Sequence, residues 1–122
     1  MIRDFTFIDD IIESLLLVAN KPATPNSLYN SLNPDPATSS SPFRIFNIGN
    51  GNPIPLSEYI KAIENKLGII SDKNYLEMQP GDVVTTSANT EELYKWIEFR
   101  PQTSIKKGIS EFVDWYKNYY KI

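Results

Sequence analysis

Cysteine and histidine are both absent from this chain of 122 residues. Their absence excludes disulfide bonds, metal sites built on thiolate or imidazole ligands, cysteine nucleophiles and any catalytic triad that depends on histidine. No apolar run approaches the roughly 20 residues that a membrane span requires, and no secretory signal pattern opens the chain. We therefore expect no metal site and no membrane contact, and a cytoplasmic location is consistent with this composition.

A basic surface is lacking as well, because 12 lysines and arginines are outnumbered by 15 aspartates and glutamates, which gives a net charge of −3. This balance predicts no binding to nucleic acid. Hydrophobic residues make up 41% of the chain and charged residues 22%, as in ordinary globular proteins. Since this length suffices for one domain with a modest core, we expect residues 1–122 to form a single domain.

Hydrophobic periodicity predicts an α/β domain of about four helices and a few short strands. The first helix has so few polar residues that we expect it to be buried over most of its circumference. The strongest strand pattern covers 43–48 and stops sharply at Gly49, and shorter strand patterns lie at 5–8, 74–78 and 83–86. The helices are expected to begin near side chains that favour a helix N-terminus: Asp9 or Asp10, Ser57, Asn89 or Thr90, and Thr103 or Ser104.

Residues 21–42 differ in composition from the rest of the chain. They hold five of the nine prolines and five serines, and Tyr29 is their only aromatic anchor. Such a connection is long for a compact domain, so disorder and a lid are the two alternatives. The shortage of aromatic anchors favours a disordered loop at 21–42.

Two short motifs have a composition that could bind anions. Arg3 stands at the start of a predicted strand-to-helix unit, where anionic ligands are often bound, but on spacing alone an ordinary surface ion pair with Asp4 is favoured. Gly49-x-Gly51 loosely resembles a phosphate-binding loop. It lacks the third glycine of a dinucleotide fingerprint, so a structural turn is the favoured interpretation there.

Four segments carry a combined signal, namely RDFTFIDDI (3–11), FNIGNGNPIPLSEYIKAIE (46–64), MQPGDV (78–83) and FRPQTSIKKGISEFVDWY (99–116). In this order and spacing they resemble the nucleotide-sugar epimerases and dehydratases of the extended short-chain dehydrogenase/reductase (SDR) superfamily. The combination is most similar to the UDP-glucuronate 4-epimerase branch, which includes epimerases of capsule and surface-polysaccharide biosynthesis. The resemblance implies the α/β substrate-binding portion of such an enzyme.

By this resemblance the chain covers only the C-terminal third of the enzyme. No G-x-x-G-x-x-G opens it, and none of its seven tyrosines has a lysine four residues on. The resemblance therefore implies that the N-terminal Rossmann domain is absent and that no residue here is catalytic or binds the cofactor. NAD is expected in the intact parent enzyme and not in this chain. We expect the chain alone to be inactive, as an excised domain or a truncated gene product.

The resemblance also implies a substrate site. Arg3 matches an arginine that reaches the substrate diphosphate, and a guanidinium can bind two phosphate oxygens at once. Asp82 matches an acidic residue that accepts hydrogen bonds from the nucleotide ribose, while Gln79 stands where many relatives have a second phosphate-binding arginine. Weak UDP-sugar binding is the expected result. Without the resemblance, Asp82 would be a turn-capping carboxylate and Gln79 an exposed polar residue.

Two alternatives stay open. A non-catalytic protein-interaction module would use the aromatic end of the last helix, at Trp115, Tyr119 and Tyr120. A fragment of a sister dehydratase or decarboxylase would share most of the motifs. In a fragment of either kind, the face left by a missing N-terminal domain could self-associate, and the edge of the strand at 43–48 could pair with another chain.

Overall fold

The computed structural model describes all 122 residues. It has four helices and a two-stranded sheet, which confirms the expected α/β class. None of the four helices combines the length and the apolar character that a bilayer span requires. In chain order the elements are β1 (Ile2–Arg3), α1 (Ile8–Ala19), β2 (Ile54–Pro55), α2 (Leu56–Leu67), α3 (Glu91–Ile97) and α4 (Ile105–Tyr120).

The strand β1 is paired on both of its edges. On one edge it runs antiparallel to β2, with Ile2 opposite Pro55. On the other edge Ile2 forms an isolated parallel bridge with Thr85. There the Ile2 N–H donates to the Val84 carbonyl at 2.9 Å, and the Thr86 N–H donates to the Ile2 carbonyl at 3.2 Å. The segment 84–86 therefore lies beside β1, although 81 residues separate Arg3 from Val84 along the chain.

Helices α2 and α4 pack together and enclose most of the small core. Ile109 and Val113 of α4 are each 4% exposed. The ring of Phe5 stacks on that of Tyr59 from α2, with centroids 4.2 Å apart. A Cβ at Gly108 would lie 3.0 Å from the Phe7 ring, so the glycine allows the segment after β1 to rest against α4. The segment leading into α1 is thereby held on the α2–α4 pair.

Helix α1 is much less buried than its composition predicts. It contacts α3, and the two are joined at their ends because Lys21 and Trp96 exchange hydrogen bonds in both directions. No other element of the chain covers its opposite face, so the expectation of burial over most of the circumference is wrong. Four apolar side chains share that uncovered face and are 46–57% exposed: Ile8, Ile12, Leu15 and Leu16.

The predicted strand at 43–48 is also wrong, because a strand requires continuous pairing with a neighbouring segment and this one makes only isolated bonds. Within that segment Arg44 bridges Thr38, and the Ile45 N–H donates to the Ala37 carbonyl at 3.0 Å. Beyond Ile45 the backbone enters no ladder. The patterns at 5–8 and 74–78 form no strand either, and 83–86 contributes only the bridge at Thr85.

Residues 21–42 form a succession of turns. The side-chain oxygens of Asn26, Asn30 and Asp35 each accept the backbone N–H two residues further on, at 2.9–3.0 Å. This is the Asx-turn arrangement that these residue types favour. Disorder of this segment stays a prediction.

The helix ends agree with the sequence in some cases. Ser104 caps α4, and its Oγ accepts the Lys107 N–H at 3.3 Å. Gly68 ends α2 in the left-handed conformation, with φ of 72°. Helix α2 begins earlier than predicted, because it starts directly after Pro55 and not at Ser57.

Candidate functional site

Arg3 ends β1, and its guanidinium contacts the neighbouring segment. Its Nη1 donates to the carbonyl oxygens of Ile2, at 2.9 Å, and of Val84, at 3.3 Å. None of the four ion pairs in the chain includes Arg3. The interpretation of Arg3 and Asp4 as a surface ion pair is therefore wrong. The positive charge of Arg3 has no carboxylate partner within the chain.

Gln79 and Asp82 lie at the two ends of one tight turn. The Asp82 N–H donates to the Gln79 carbonyl at 3.1 Å. Pro80 takes the second position, and Gly81 takes the third with φ of +93°. A proline followed by a glycine with positive φ is the signature of a type II turn. Both end residues are exposed, so their side chains are presented to solvent on the same turn.

The pairing of β1 with 84–86 brings Arg3 to the segment that leaves this turn. Val84, which accepts from the Arg3 guanidinium, is two residues beyond Asp82 in the chain. Arg3 therefore lies on β1, and Gln79 and Asp82 lie on the turn whose outgoing segment pairs with β1. Their role in binding stays a prediction.

Asp4 is a residue to which the sequence pattern assigns no site role. Its Oδ2 accepts the N–H of Gly51 at 3.1 Å and the N–H of Ala88 at 2.9 Å. Its own N–H donates to Thr86 Oγ1 at 3.2 Å. Its Oδ1 is buried and has no hydrogen-bond partner in the chain. Asp4 thus ties the end of β1 to two separate loops. Its place next to Arg3 is the one signal that could have drawn attention to it.

The bonds of Asp4 extend the parallel pairing of β1. In a regular parallel ladder the next bonds would join the Asp4 N–H to the Thr86 carbonyl and the Ala88 N–H to the Asp4 carbonyl. In this chain Thr86 Oγ1 and Asp4 Oδ2 take the places of those two carbonyl oxygens. Two side chains therefore continue the pairing beyond the point where the backbone ladder ends.

The turn at Gly49-x-Gly51 is held by the same carboxylate. Gly51 has φ of +67°, and its N–H is bound by Asp4. A Cβ at Gly49 would lie 2.4 Å from the Ala88 Cβ, so only glycine allows this close approach. An amide already bound to a carboxylate is poorly suited to a phosphate, because the two anions repel each other. The geometry is that of the structural turn that the sequence favours.

A cavity of about 460 Å³ opens beside this cluster. Asp4, Thr6 and Thr86 contribute to its polar lining, and Phe46 contributes an aromatic ring. The predicted site residues at positions 3, 79 and 82 do not line it. The cavity therefore belongs to the Asp4 cluster and not to the predicted site.

A strongly lowered pKa lies elsewhere, at the end of α2. The Lys73 ammonium and the Ser71 hydroxyl and N–H donate to the Glu64 carboxylate, and they lower the pKa of Glu64 to about 2. These bonds fold residues 69–73 back onto α2. No group of three or more acidic side chains is placed to hold a metal ion.

No protein-family model matches the chain. Protein CapI of Staphylococcus aureus is 49% identical over 121 residues, which are 99% of this chain and 36% of that protein. The probable UDP-glucuronate 4-epimerase of Rhizobium meliloti is 36% identical over 125 residues, which are 99% of this chain and 36% of that protein. The chain thus spans about a third of the length of the curated relatives that it matches.

The fold has counterparts among solved structures. The UDP-glucuronic acid 4-epimerase of Bacillus cereus in complex with NAD matches with a TM-score of 0.69 at 22% identity, over 98% of this chain and 31% of that chain. The fold is that of the NAD-dependent nucleotide-sugar epimerases and dehydratases of the extended SDR class. Within that class, the homologues of this chain are UDP-glucuronate 4-epimerases and CapI. The resemblance seen in the sequence is confirmed, and a match to only 26–36% of these relatives fits a C-terminal part of such an enzyme.

Proposed function

We propose that this chain is the nucleotide-sugar-binding portion of an NAD-dependent epimerase of the UDP-glucuronate 4-epimerase type. One observation carries the proposal. The guanidinium of Arg3 has no acidic partner in the chain, and it lies against Val84, in the segment that leaves the Gln79–Asp82 turn. An arginine without an acidic partner, held against the segment that leaves a turn with an exposed carboxylate and an exposed amide, suits a nucleoside diphosphate.

Each side chain has a chemically suitable role. The planar guanidinium of Arg3 can bind two oxygens of the diphosphate. The carboxylate of Asp82 can accept hydrogen bonds from ribose hydroxyls, and the amide of Gln79 can donate one without adding charge. These roles are binding and positioning, and the chain makes or breaks no bond.

The proposal assigns NAD to the longer enzyme and not to this chain. A dinucleotide pyrophosphate needs free backbone N–H groups in a glycine-rich turn. The turn at Gly49-x-Gly51 does not fit, because the Gly51 N–H is bound to the Asp4 carboxylate at 3.1 Å. We therefore expect no NAD-dependent turnover by the chain alone.

UDP-glucuronate is the first sugar to test, because five curated homologues carry that epimerase name. Sister dehydratases and decarboxylases share the motifs and form the alternative within the class. Surface-polysaccharide biosynthesis follows as a further expectation from the same resemblance, and the composition of the chain is consistent with a cytoplasmic location.

A titration of the ¹⁵N-labelled chain with UDP tests this proposal. Chemical-shift changes are expected to cluster at Arg3 and in the turn 79–82, with an affinity in the millimolar range or weaker, because much of the pocket is outside the chain. Arg3→Ala should abolish the response. Arg3→Lys should restore only part of it, since an ammonium keeps the charge but not the fork.

The matched control is Arg100→Ala, which removes the same charge at a site where the arginine already pairs with Glu91 at 2.8 Å. This variant should bind UDP as the wild type does. A flat response of the wild type at high UDP, or an equal loss in both alanine variants, would contradict the proposed site.

The other candidate function is a non-catalytic interaction module at the aromatic end of α4. Trp115 and Tyr119 stack with centroids 5.5 Å apart and are 55% and 66% exposed. This function predicts that UDP binding is absent and that Trp115→Ala together with Tyr119→Ala abolishes capture of a partner protein. Under the epimerase proposal the same double variant leaves the UDP response unchanged.

A further inference from the structure

We propose that Asp4, together with Thr86, is a positioning latch that fixes Arg3 against the segment leading from Asp82. The proposal rests on the proposed function, because it explains how the diphosphate-binding geometry is maintained. Asp4 itself is not proposed to touch the ligand.

The first support is the number of segments that Asp4 joins. Its carboxylate holds the N–H of Gly51, in the turn before β2, and the N–H of Ala88, just beyond the 84–86 segment. Hydrogen bonds from amides to a charged acceptor are stronger than those between neutral groups. One side chain therefore fixes both neighbours of β1 relative to it.

The second support is the shortness of the backbone pairing that Asp4 reinforces. Beside β1, the segment 84–86 is held by only two backbone hydrogen bonds, both made by Ile2. A two-bond parallel bridge is weak by itself. The bonds of Asp4 to Thr86 and Ala88 add two hydrogen bonds to these two backbone bonds. Without them, Arg3 would keep its charge but lose its fixed position relative to the turn that carries Asp82.

The third support is that the Asp4 carboxylate has little room to move. Gly49 is buried, and a Cβ there would lie 3.3 Å from Asp4 Oδ2 and 2.4 Å from the Ala88 Cβ. The carboxylate is therefore confined on the side of the turn as well as bonded on the side of Ala88. Such confinement suits a residue whose task is to hold a distance.

The chain offers a matched control in Asp10. Its Oδ2 also accepts two backbone N–H groups, those of Gln102 at 3.2 Å and of Thr103 at 2.9 Å. Those amides lie before α4, so Asp10 ties α1 to α4 and not to the segment 84–86. Asp4→Ala and Asp10→Ala thus remove the same chemical group and the same number of amide bonds, and both should lower the melting temperature.

The first measurement is amide hydrogen exchange on the folded full chain. Asp4→Ala should speed exchange of the Thr86 and Ala88 amides by at least about tenfold relative to Asp10→Ala. Thr86→Val should have the same effect in smaller measure, and Thr86→Ser, which keeps the hydroxyl, should exchange as the wild type does. Unchanged protection of both amides in Asp4→Ala overturns the latch, whether or not the chain binds UDP.

The second measurement is UDP affinity by the same titration as above. Asp4→Ala should weaken binding by at least about tenfold, while Asp10→Ala and Thr86→Ser bind as the wild type does. Equal affinity of Asp4→Ala and Asp10→Ala overturns the positioning role. The wild type could fail to bind UDP while Asp4→Ala still loses protection of the Thr86 and Ala88 amides. That result refutes the proposed function but not the structural role of Asp4, so the two failures are distinguishable.

Discussion

At the scale of the residue, two neighbours in the sequence, Arg3 and Asp4, do not form an ion pair with each other. Arg3 and Asp4 are adjacent and opposite in charge, yet each bonds elsewhere. The Asp4 carboxylate takes two backbone amides. At the half-buried Ala88, an N–H partly removed from water needs an acceptor more than an exposed guanidinium needs a counter-ion. Arg3, Gln79 and Asp82 could be named from the family motif alone. The role of Asp4 could not, since Gly51 and Ala88 reach it only through long-range packing.

Gly49 allows a close approach between two loops, which leads to a prediction about stability. Gly49→Ala would place a methyl group 2.4 Å from the Ala88 Cβ, and overpacking of this kind costs about 1–3 kcal/mol. Urea denaturation should show that loss. The double variant Gly49→Ala with Ala88→Gly should recover part of it, because the second change removes the atom that is struck. Simple additivity of the two single losses would show that the contact is not the cause.

At the scale of the element, the helices could be predicted and the strands could not. Helical periodicity is local, so the apolar spacing is enough to predict four helices, and Ser104 caps α4 as expected. A strand depends on a partner that can be distant in the sequence. The alternating pattern at 43–48 has no such partner in this chain, whereas Ile2 and Arg3 pair with β2 despite a weak local signal.

The end of α2 carries a prediction about pH. Because the folded-state pKa of Glu64 is lowered from 4.5 to about 2, chiefly by the hydrogen bond from Lys73, its contribution to stability is complete above pH 4.5. That contribution is lost as the pH falls from 4.5 towards 2. In Lys73→Met the NMR titration midpoint of the Glu64 carboxyl should rise towards 4.5.

A thermal unfolding series tests the same linkage. The difference in melting temperature between the wild type and Lys73→Met should shrink as the pH falls through this interval. A midpoint that stays near 2 in the variant would assign the effect to Ser71, which also donates to Glu64.

At the scale of the whole molecule, the chain exposes more apolar surface than its helices suggest. The periodicity of α1 is that of a buried helix, and only the three-dimensional arrangement shows that its outer face is uncovered. Relatives of which this chain spans 36% have the remaining length with which to cover such a face. We expect the isolated chain to self-associate through that face, since contiguous exposed apolar patches promote association.

Self-association is therefore the prediction at this scale. Sedimentation velocity should show oligomers that grow with protein concentration, and Leu16→Glu should suppress them. Because Leu16 is 55% exposed, the melting temperature of the variant should change little. The control is Leu32→Glu, at a leucine that is 94% exposed but lies in the segment 21–42, and it should associate as the wild type does. A monomeric wild type at all concentrations would contradict the prediction.

The way in which Asp4 and Thr86 stand in for main-chain carbonyls has a genetic consequence. Main-chain hydrogen bonds survive almost every amino-acid replacement, because all residues except proline carry the same N–H and C=O groups. Here, by contrast, a single amino-acid replacement at position 4 or 86 can remove one hydrogen bond of the pairing. Single substitutions can therefore remove individual hydrogen bonds between β1 and the segment 84–88, and so weaken this pairing stepwise.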